Sequence, residues 1–118
     1  KYSREMEGPP EDTRVQKASE HGWSESWDAY ANERTWRILD TTQKIANELD
    51  RSVAQVSIRW LMQRPGVTTP IIGASKLRHL EDNLGAAEFE LSEDQMSLLN
   101  EVSQLPEPYP YGFINDRK

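Results

Sequence analysis

The sequence predicts a mainly α-helical chain with at most one or two short strands, built around a single helix–strand–helix unit of an α/β fold. Three observations predict this class. Apolar residues recur at helical spacing in several segments, two of those segments begin with a capping box, and one short apolar run lies between turn residues. With 118 residues, the chain has the size of one domain or of part of one.

The first two predicted helices cover residues 35–49 and 53–63. In the first, apolar side chains from Trp36 onward fall on one face. The second begins after Ser52, a good N-cap, and Gln55 completes a capping box with it. Its apolar set is wider than one stripe, which predicts packing against a sheet or between helices.

A strand is predicted within residues 67–73. Ile71 and Ile72 are β-branched and are flanked by Pro70 and Gly73, a pattern that fits a short buried parallel strand. A single parallel strand cannot pair its own backbone groups, and no neighbouring strand is evident. The strand is therefore expected to pair with another chain or with a missing part of the protein.

Two more helices are predicted further along, at 76–84 with Ser75 as its cap and at 93–103. The second of these has a capping box formed by Ser92 and Gln95.

The N-terminal region gives weaker signals. Residues 1–22 are predicted to be irregular, because no helical or strand period appears among their charges and prolines. Residues 23–34 are ambiguous: Trp23, Trp27 and Tyr30 have helical spacing, but glycine and serine surround them.

Composition excludes several classes of function. The net charge of −6 argues against nucleic acid and anionic membranes as partners, since both reward a basic surface. The chain has no cysteine, which excludes disulfides and thiolate chemistry, and no metal site is expected. No apolar run approaches the roughly 18 residues of a membrane span, and no signal peptide is evident, so a cytoplasmic location is expected.

Residues 70–85 carry the pattern with the clearest chemical meaning. A strand, a turn of small residues and a helix start would direct free backbone N–H groups and the positive helix end at one point. Gly73 would let a ligand approach the backbone, Ser75 would supply a hydroxyl, and Lys76 and Arg78 would supply charge. This predicts a phosphate site, although an ordinary helix cap with solvated Lys and Arg side chains accounts for the same residues.

The same segment resembles the last strand and following helix of aldo-keto reductases. Three further stretches are similar to that family in the right order: residues 45–61 with 65–68, Lys1-Tyr2, and the tail around 109–113, which resembles one bacterial branch. The resemblance implies the C-terminal part of a (β/α)8 TIM barrel, a fold that needs about 250 residues when complete.

On that resemblance the chain divides into four parts. Residues 1–34 are the loop region after strand 7, 35–63 form helices, 67–73 are strand 8, and 76–118 are the C-terminal helices and tail.

The resemblance also implies NADP(H) as cofactor. Gly73 and Ser75 match positions around the 2′-phosphate, Asp82 matches a frequent Glu, and Asn83 matches the Asn that contacts adenine. Lys76 is preferred over its neighbours as the cation for the phosphate because it lies nearest the strand end.

Three further positions complete the candidate cofactor site. Lys1 and Arg14 match loop residues that close over the pyrophosphate. His79 stands where the family often has Gln or Arg, and a neutral imidazole would hold a phosphate less firmly than a guanidinium.

The family's catalytic Asp, Tyr, Lys and His lie on earlier strands, and no residue here matches them. The resemblance thus implies the cofactor-binding portion of an oxidoreductase that interconverts small-molecule carbonyls and alcohols, inactive by itself. The loop that carries Trp23 and Trp27 would lie near the substrate mouth. The alternative is a non-catalytic helical module that self-associates.

Overall fold

A computed structural model gives the fold, and it describes residues 2–106 and 110. Helices make up its regular structure, and no strand is present among the described residues. The helices are α1 (Arg14–His21), α2 (Trp27–Tyr30), α3 (Glu33–Leu49), α4 (Val53–Met62), α5 (Leu77–Leu84) and α6 (Glu93–Ser103), with a 3-10 turn at Gly85–Ala87 between the last two.

The core lies where α3 packs against α4 and α6. Its buried members come from three helices and the loop before α6: Ile45, Ala46, Val56, Leu91 and Leu99. Burial of these apolar side chains supplies the main stabilisation of the three-helix unit. Helices α3, α4 and α6 therefore form the stable part of the fold, against which the rest of the chain packs.

The predicted helices 35–49 and 53–63 are confirmed, with small shifts at their ends. The first begins two residues earlier because Asn32 is its N-cap, with Oδ1 accepting a 3.0 Å hydrogen bond from the Thr35 N–H. It ends at Asp50, whose φ of 51° is left-handed. The capping box of Ser52 and Gln55 forms as predicted.

The predicted helix 93–103 is confirmed as α6. Ser92 Oγ accepts from the Gln95 N–H at 3.1 Å, and Gln95 Oε1 accepts from the Ser92 N–H at 2.9 Å. Both halves of the predicted capping box are therefore present.

The prediction that residues 1–22 are irregular is wrong, because α1 forms within them. Thr13 caps the helix, accepting at Oγ1 from the Gln16 N–H at 3.2 Å, and Gly22 ends it at a φ of 66°. Ala18 is fully buried. The Thr13–Gln16 spacing and Gly22 are local cap signals, so the sequence itself contained the evidence for this helix.

The ambiguous stretch 23–34 contains one short helix, α2. Its Trp27 ring lies 5.8 Å from the ring of Trp36 on α3, measured between centroids. This contact places the N-terminal segment against the first turns of α3.

Residues 67–73 do not form a strand in this chain. Ile71 is 99% exposed, and Ile72 is also exposed. The physical reason is that the backbone groups of a strand need a neighbouring strand as hydrogen-bond partner, and the described residues supply none. Its assignment as strand 8 of a complete barrel stays a prediction.

The predicted helix 76–84 is present as α5, but its predicted cap is wrong. The N-cap is Lys76, with extended backbone and no side-chain capping bond, and Ser75 lies one residue outside. Gly85 has a φ of −60° and continues into the 3-10 turn. The hydroxyl of Ser75 is consequently not used to cap the helix.

Candidate functional site

The segment before α5 and the first turn of α5 are exposed throughout, from residue 71 to residue 80. Within the described part of the chain, the side chains of Ser75, Lys76 and His79 have no hydrogen bond or ion pair. The N–H groups of Leu77 and Arg78, at the start of α5, have no acceptor within the helix. A hydroxyl, an ammonium group and free N–H donors thus lie along one short stretch, as an anion site requires.

Gly73 lies in open space. A Cβ added at this position would meet no heavy atom within 4 Å, and its φ is not in the left-handed region. Neither packing nor backbone conformation requires glycine here. Room for a ligand remains the physical argument for the residue.

Asp82 is half-buried and faces α4. Its Oδ2 accepts a 2.7 Å hydrogen bond from Ser52 Oγ, and its carbonyl accepts a 2.8 Å bond from Gln55 Nε2. Asn83, the next residue, is also half-buried, and its side chain has no hydrogen bond among the described residues. The two neighbours therefore differ: one is engaged inside the protein, the other has an unused amide.

Sequence reasoning recognised Ser52 and Gln55 only as a helix cap. The structure shows that both also bind Asp82, about thirty residues away along the chain. Gln55 is only 9% exposed, on a helix whose other buried residue is Val56. The signal in the sequence was a glutamine among the mostly apolar residues of this helix, because a buried polar side chain needs a hydrogen-bond partner.

Of the two N-terminal candidates, only Arg14 lies among the described residues, and it is not brought to this site. Lys1 lies outside the described residues. Arg14, on α1, is paired with Glu25, with Nη2 and Nε at 2.6 and 3.1 Å from the same carboxylate oxygen. Helix α1 packs against α2, whereas α5 packs against α4.

An apolar cavity of about 300 Å³ lies between the N-terminal segment and α3. Four aromatic side chains line it: Tyr2, Trp27, Tyr30 and Trp36. Trp23 does not line it and is half-exposed, with its ring 5.2 Å from that of His21. The family resemblance predicts both tryptophans near a substrate mouth, and Trp27 borders this cavity whereas Trp23 does not.

An ion-pair cluster ties the N-terminal segment to α3. Arg4 Nη1 lies 2.6 Å from Glu33 Oε2, and its Nη2 lies 3.0 Å from Asp40 Oδ2. The hydrogen bond from Arg4 lowers the pKa of Glu33, and the two carboxylates raise the pKa of Arg4. This cluster is exposed and connects α3 to the N-terminal segment, whose Tyr2 lines the cavity.

Comparison with known proteins decides the family. The profile described as the Aldo/keto reductase family matches residues 1–104. The chain belongs to the aldo/keto reductase family. Membership implies a (β/α)8 barrel, and a helical structure with no strand in the described ranges is consistent with part of one.

Three curated relatives illustrate the similarity. The aryl-alcohol dehydrogenase [NADP(+)] of Phanerodontia chrysosporium is 34% identical over 86 residues, covering 72% of this chain and 22% of that protein. An uncharacterized oxidoreductase of Schizosaccharomyces pombe is 44% identical over 64 residues, 54% of this chain and 20% of the relative. The NADP-dependent D-sorbitol-6-phosphate dehydrogenase of Malus domestica is 35% identical over 60 residues, 51% and 19% respectively. Each match thus spans about a fifth of the relative's length.

Residues 2–106 and 110, which the structure describes, contain neither a membrane-spanning helix nor a metal-binding cluster. None of the helices there combines the length and apolar character needed to cross a membrane. No group of three or more His, Asp or Glu side chains there is arranged to hold a metal ion.

Proposed function

We propose that this aldo/keto reductase chain is the cofactor-holding C-terminal part of an NADP(H)-dependent oxidoreductase that interconverts small-molecule carbonyls and alcohols. In this proposal residues 1–34 are the loop region after strand 7, 67–73 are strand 8 of the barrel, and 76–118 hold the C-terminal helices and tail. The names of two relatives, an aryl-alcohol dehydrogenase and a sorbitol-6-phosphate dehydrogenase, both specify NADP and support the choice of cofactor.

One observation carries the proposal: the unengaged polar groups at the start of α5. Ser75 and Lys76 are exposed and have no partner among the described residues, beside the free N–H groups of the first helical turn. A dianionic phosphate matches such a set, because it accepts hydrogen bonds and is stabilised by positive charge. The residues present therefore fit the 2′-phosphate that distinguishes NADP from NAD.

Each side chain then has a defined task. Ser75 donates its hydroxyl to a phosphate oxygen, Lys76 neutralises charge, and the amide of Asn83 binds the adenine edge. Gly73 leaves room for the nucleotide to approach the backbone, and His79 adds a hydrogen bond or a stacking surface. The bound cofactor supplies the hydride, while these residues only bind and orient it.

Arg14 and Lys1 are proposed to close over the pyrophosphate. Arg14 would have to exchange its partner Glu25 for the phosphates, which is feasible because the ion pair is exposed. The aromatic cavity beside Trp27 is proposed as part of the substrate rim, since an apolar wall favours an apolar carbonyl compound.

The proposal is tested by titrating NADP and NAD into the full-length enzyme and its variants. Ser75→Ala removes a hydrogen bond to a charged group and should weaken NADP binding by about 1.5–3 kcal/mol, with little change for NAD. Lys76→Ala should also weaken NADP more than NAD, and the loss should shrink at high salt. Lys44→Ala is the matched control, because Lys44 is an exposed lysine on α3 whose side chain has no hydrogen bond or ion pair among the described residues.

Equal losses for NADP and NAD on replacing Ser75 and Lys76 together would show that this turn does not bind the 2′-phosphate. A separate test concerns catalysis. No catalytic residue is assigned in this chain, so the isolated 118-residue chain should not reduce a carbonyl with NADPH. Hydride transfer by a sample of verified mass would refute that part of the proposal.

A second candidate function, self-association of a helical module, is favoured by the apolar face around α5. Ile71, Leu77 and Leu84 are all largely exposed. The barrel explains the same face, because neighbouring strands and helices would cover it. Analytical ultracentrifugation distinguishes the two functions. Self-association of the isolated chain with a dissociation constant in the low micromolar range, lost in the Leu77→Asp variant, would favour the helical module.

A further inference from the structure

Ser52 and Gln55 hold Asp82 from the neighbouring helix, in an arrangement that we call the Asp82 latch: Ser52, Gln55, Asp82 and Gly85. We propose that Ser52 and Gln55 are positioning residues for the adenosine end of the cofactor, acting through Asp82 to orient Asn83. The inference rests on the proposed function, in which the nucleotide binds over residues 73–83.

The latch is a closed hydrogen-bond network between the start of α4 and the second turn of α5. Ser52 Oγ donates to the Asp82 carboxylate at 2.7 Å while accepting from the Gln55 N–H at 3.1 Å. Gln55 Nε2 donates to the Asp82 carbonyl at 2.8 Å while Oε1 accepts from the Ser52 N–H at 3.2 Å. Ser52, Gln55 and Asp82 are each fixed by at least two bonds, and both the side chain and the backbone of Asp82 are held.

Packing allows the network little freedom. Gln55 is buried, and Gly85 and Ala86 beside it are buried as well. An ideal Cβ on residue 85 would lie 3.2 Å from Gln55 Cδ, so the glutamine side chain runs directly along the glycine backbone. The second turn of α5 is thus locked, whereas residues 71–80 are exposed.

The contrast between the second turn of α5, which is held, and residues 71–80, which are exposed, gives the latch its role. Helix α5 has only 8 residues, and a helix that short is marginal without tertiary contacts. The contact with α4 therefore sets where α5 lies. Asp82 uses Oδ2 and its carbonyl inside the protein, whereas the side-chain amide of its neighbour Asn83 has no partner among the described residues and is available to a ligand.

Ser52→Ala in the full-length enzyme tests the latch, with the dissociation constants of NADPH and NADH measured by titration. The variant should weaken the binding of both nucleotides by the same factor, on the order of five- to tenfold for the lost bond to Asp82, because adenine is common to both. Ser52→Thr keeps the hydroxyl and should restore binding. In an Asn83→Ala background, Ser52→Ala should cause no further loss, since the two residues then act through one contact.

The matched control is Ser92→Ala. It removes the same kind of capping box from α6, so it should lower the melting temperature without changing either dissociation constant. If Ser52→Ala behaves like this control, the latch is only structural and the inference is overturned. Equal losses in the wild-type and Asn83→Ala backgrounds would also overturn it. A wild-type enzyme that binds neither nucleotide would refute the proposed function, and this inference with it.

Discussion

Gly85 lies against the amide end of Gln55: a Cβ on residue 85 would lie 3.2 Å from the Gln55 Cδ and would clash with its Nε2. The glycine has an ordinary right-handed backbone, with φ of −60°. Its small size is therefore required by the glutamine that crosses it and not by its conformation.

Gly85→Ala should destabilise the fold, although alanine is the better residue for a helical backbone. The added methyl group displaces Gln55, which then loses its bond to the Asp82 carbonyl, a loss of about 1–3 kcal/mol in a buried site. Urea denaturation of the chain measures the difference. Gly73→Ala is the control, because nothing lies within 4 Å of its Cβ. If Gly85→Ala costs as much in a Gln55→Ala background, the clash is not the cause.

Two adjacent leucines on α6 should lose very different amounts of stability on truncation. Leu99 is 4% exposed in the core, whereas Leu98 is 42% exposed. Leu99→Ala should lower the free energy of unfolding by about 2–5 kcal/mol, because it removes buried methyl groups and leaves a cavity. Leu98→Ala should cost less than about 1 kcal/mol. Similar losses for the two variants would contradict the assigned orientation of α6.

The capping box of α6 should make a measurable contribution by itself. Ser92→Ala removes the acceptor of the Gln95 N–H and should cost about 1 kcal/mol. Thermal denaturation followed by circular dichroism measures the loss. Ser97→Ala, an exposed position inside the same helix, should be neutral. A destabilising Ser97→Ala of equal size would show that the effect is not capping.

Acidification should release the N-terminal segment from α3. The hydrogen bond from Arg4 lowers the pKa of Glu33, so the folded state favours the ionised carboxylate. The resulting stabilisation is present above the ordinary glutamate pKa and is lost as the pH falls through the lowered value. A titration followed by NMR at the Glu33 side chain measures the shift. Arg4→Ala should raise the pKa of Glu33 towards its ordinary value, and an unchanged pKa would show that the pair does not form in solution.

Local patterns account for the parts of the fold that were predicted correctly. The period of α3, the Ser52–Gln55 box and the Ser92–Gln95 box involve residues three or four positions apart, so the sequence itself contains both partners. The family resemblance was likewise carried by short motifs in order, and the family assignment is confirmed.

Features that depend on distant partners could not be predicted in the same way. The side of α5 that is fixed is chosen by Ser52, thirty positions before Asp82. Residues 67–73 have strand character in sequence, but a strand exists only when a second strand accepts its hydrogen bonds.

The sequence by itself determined four of the helical segments, α3 to α6, the capping boxes of two of them, and the family to which the chain belongs. Only the tertiary structure decided that Asp82 binds Ser52 while Ser75 and Lys76 stay exposed. The physical reason is that caps and helical periods are satisfied within one or two turns, whereas the partner of a half-buried carboxylate is set by how two helices pack.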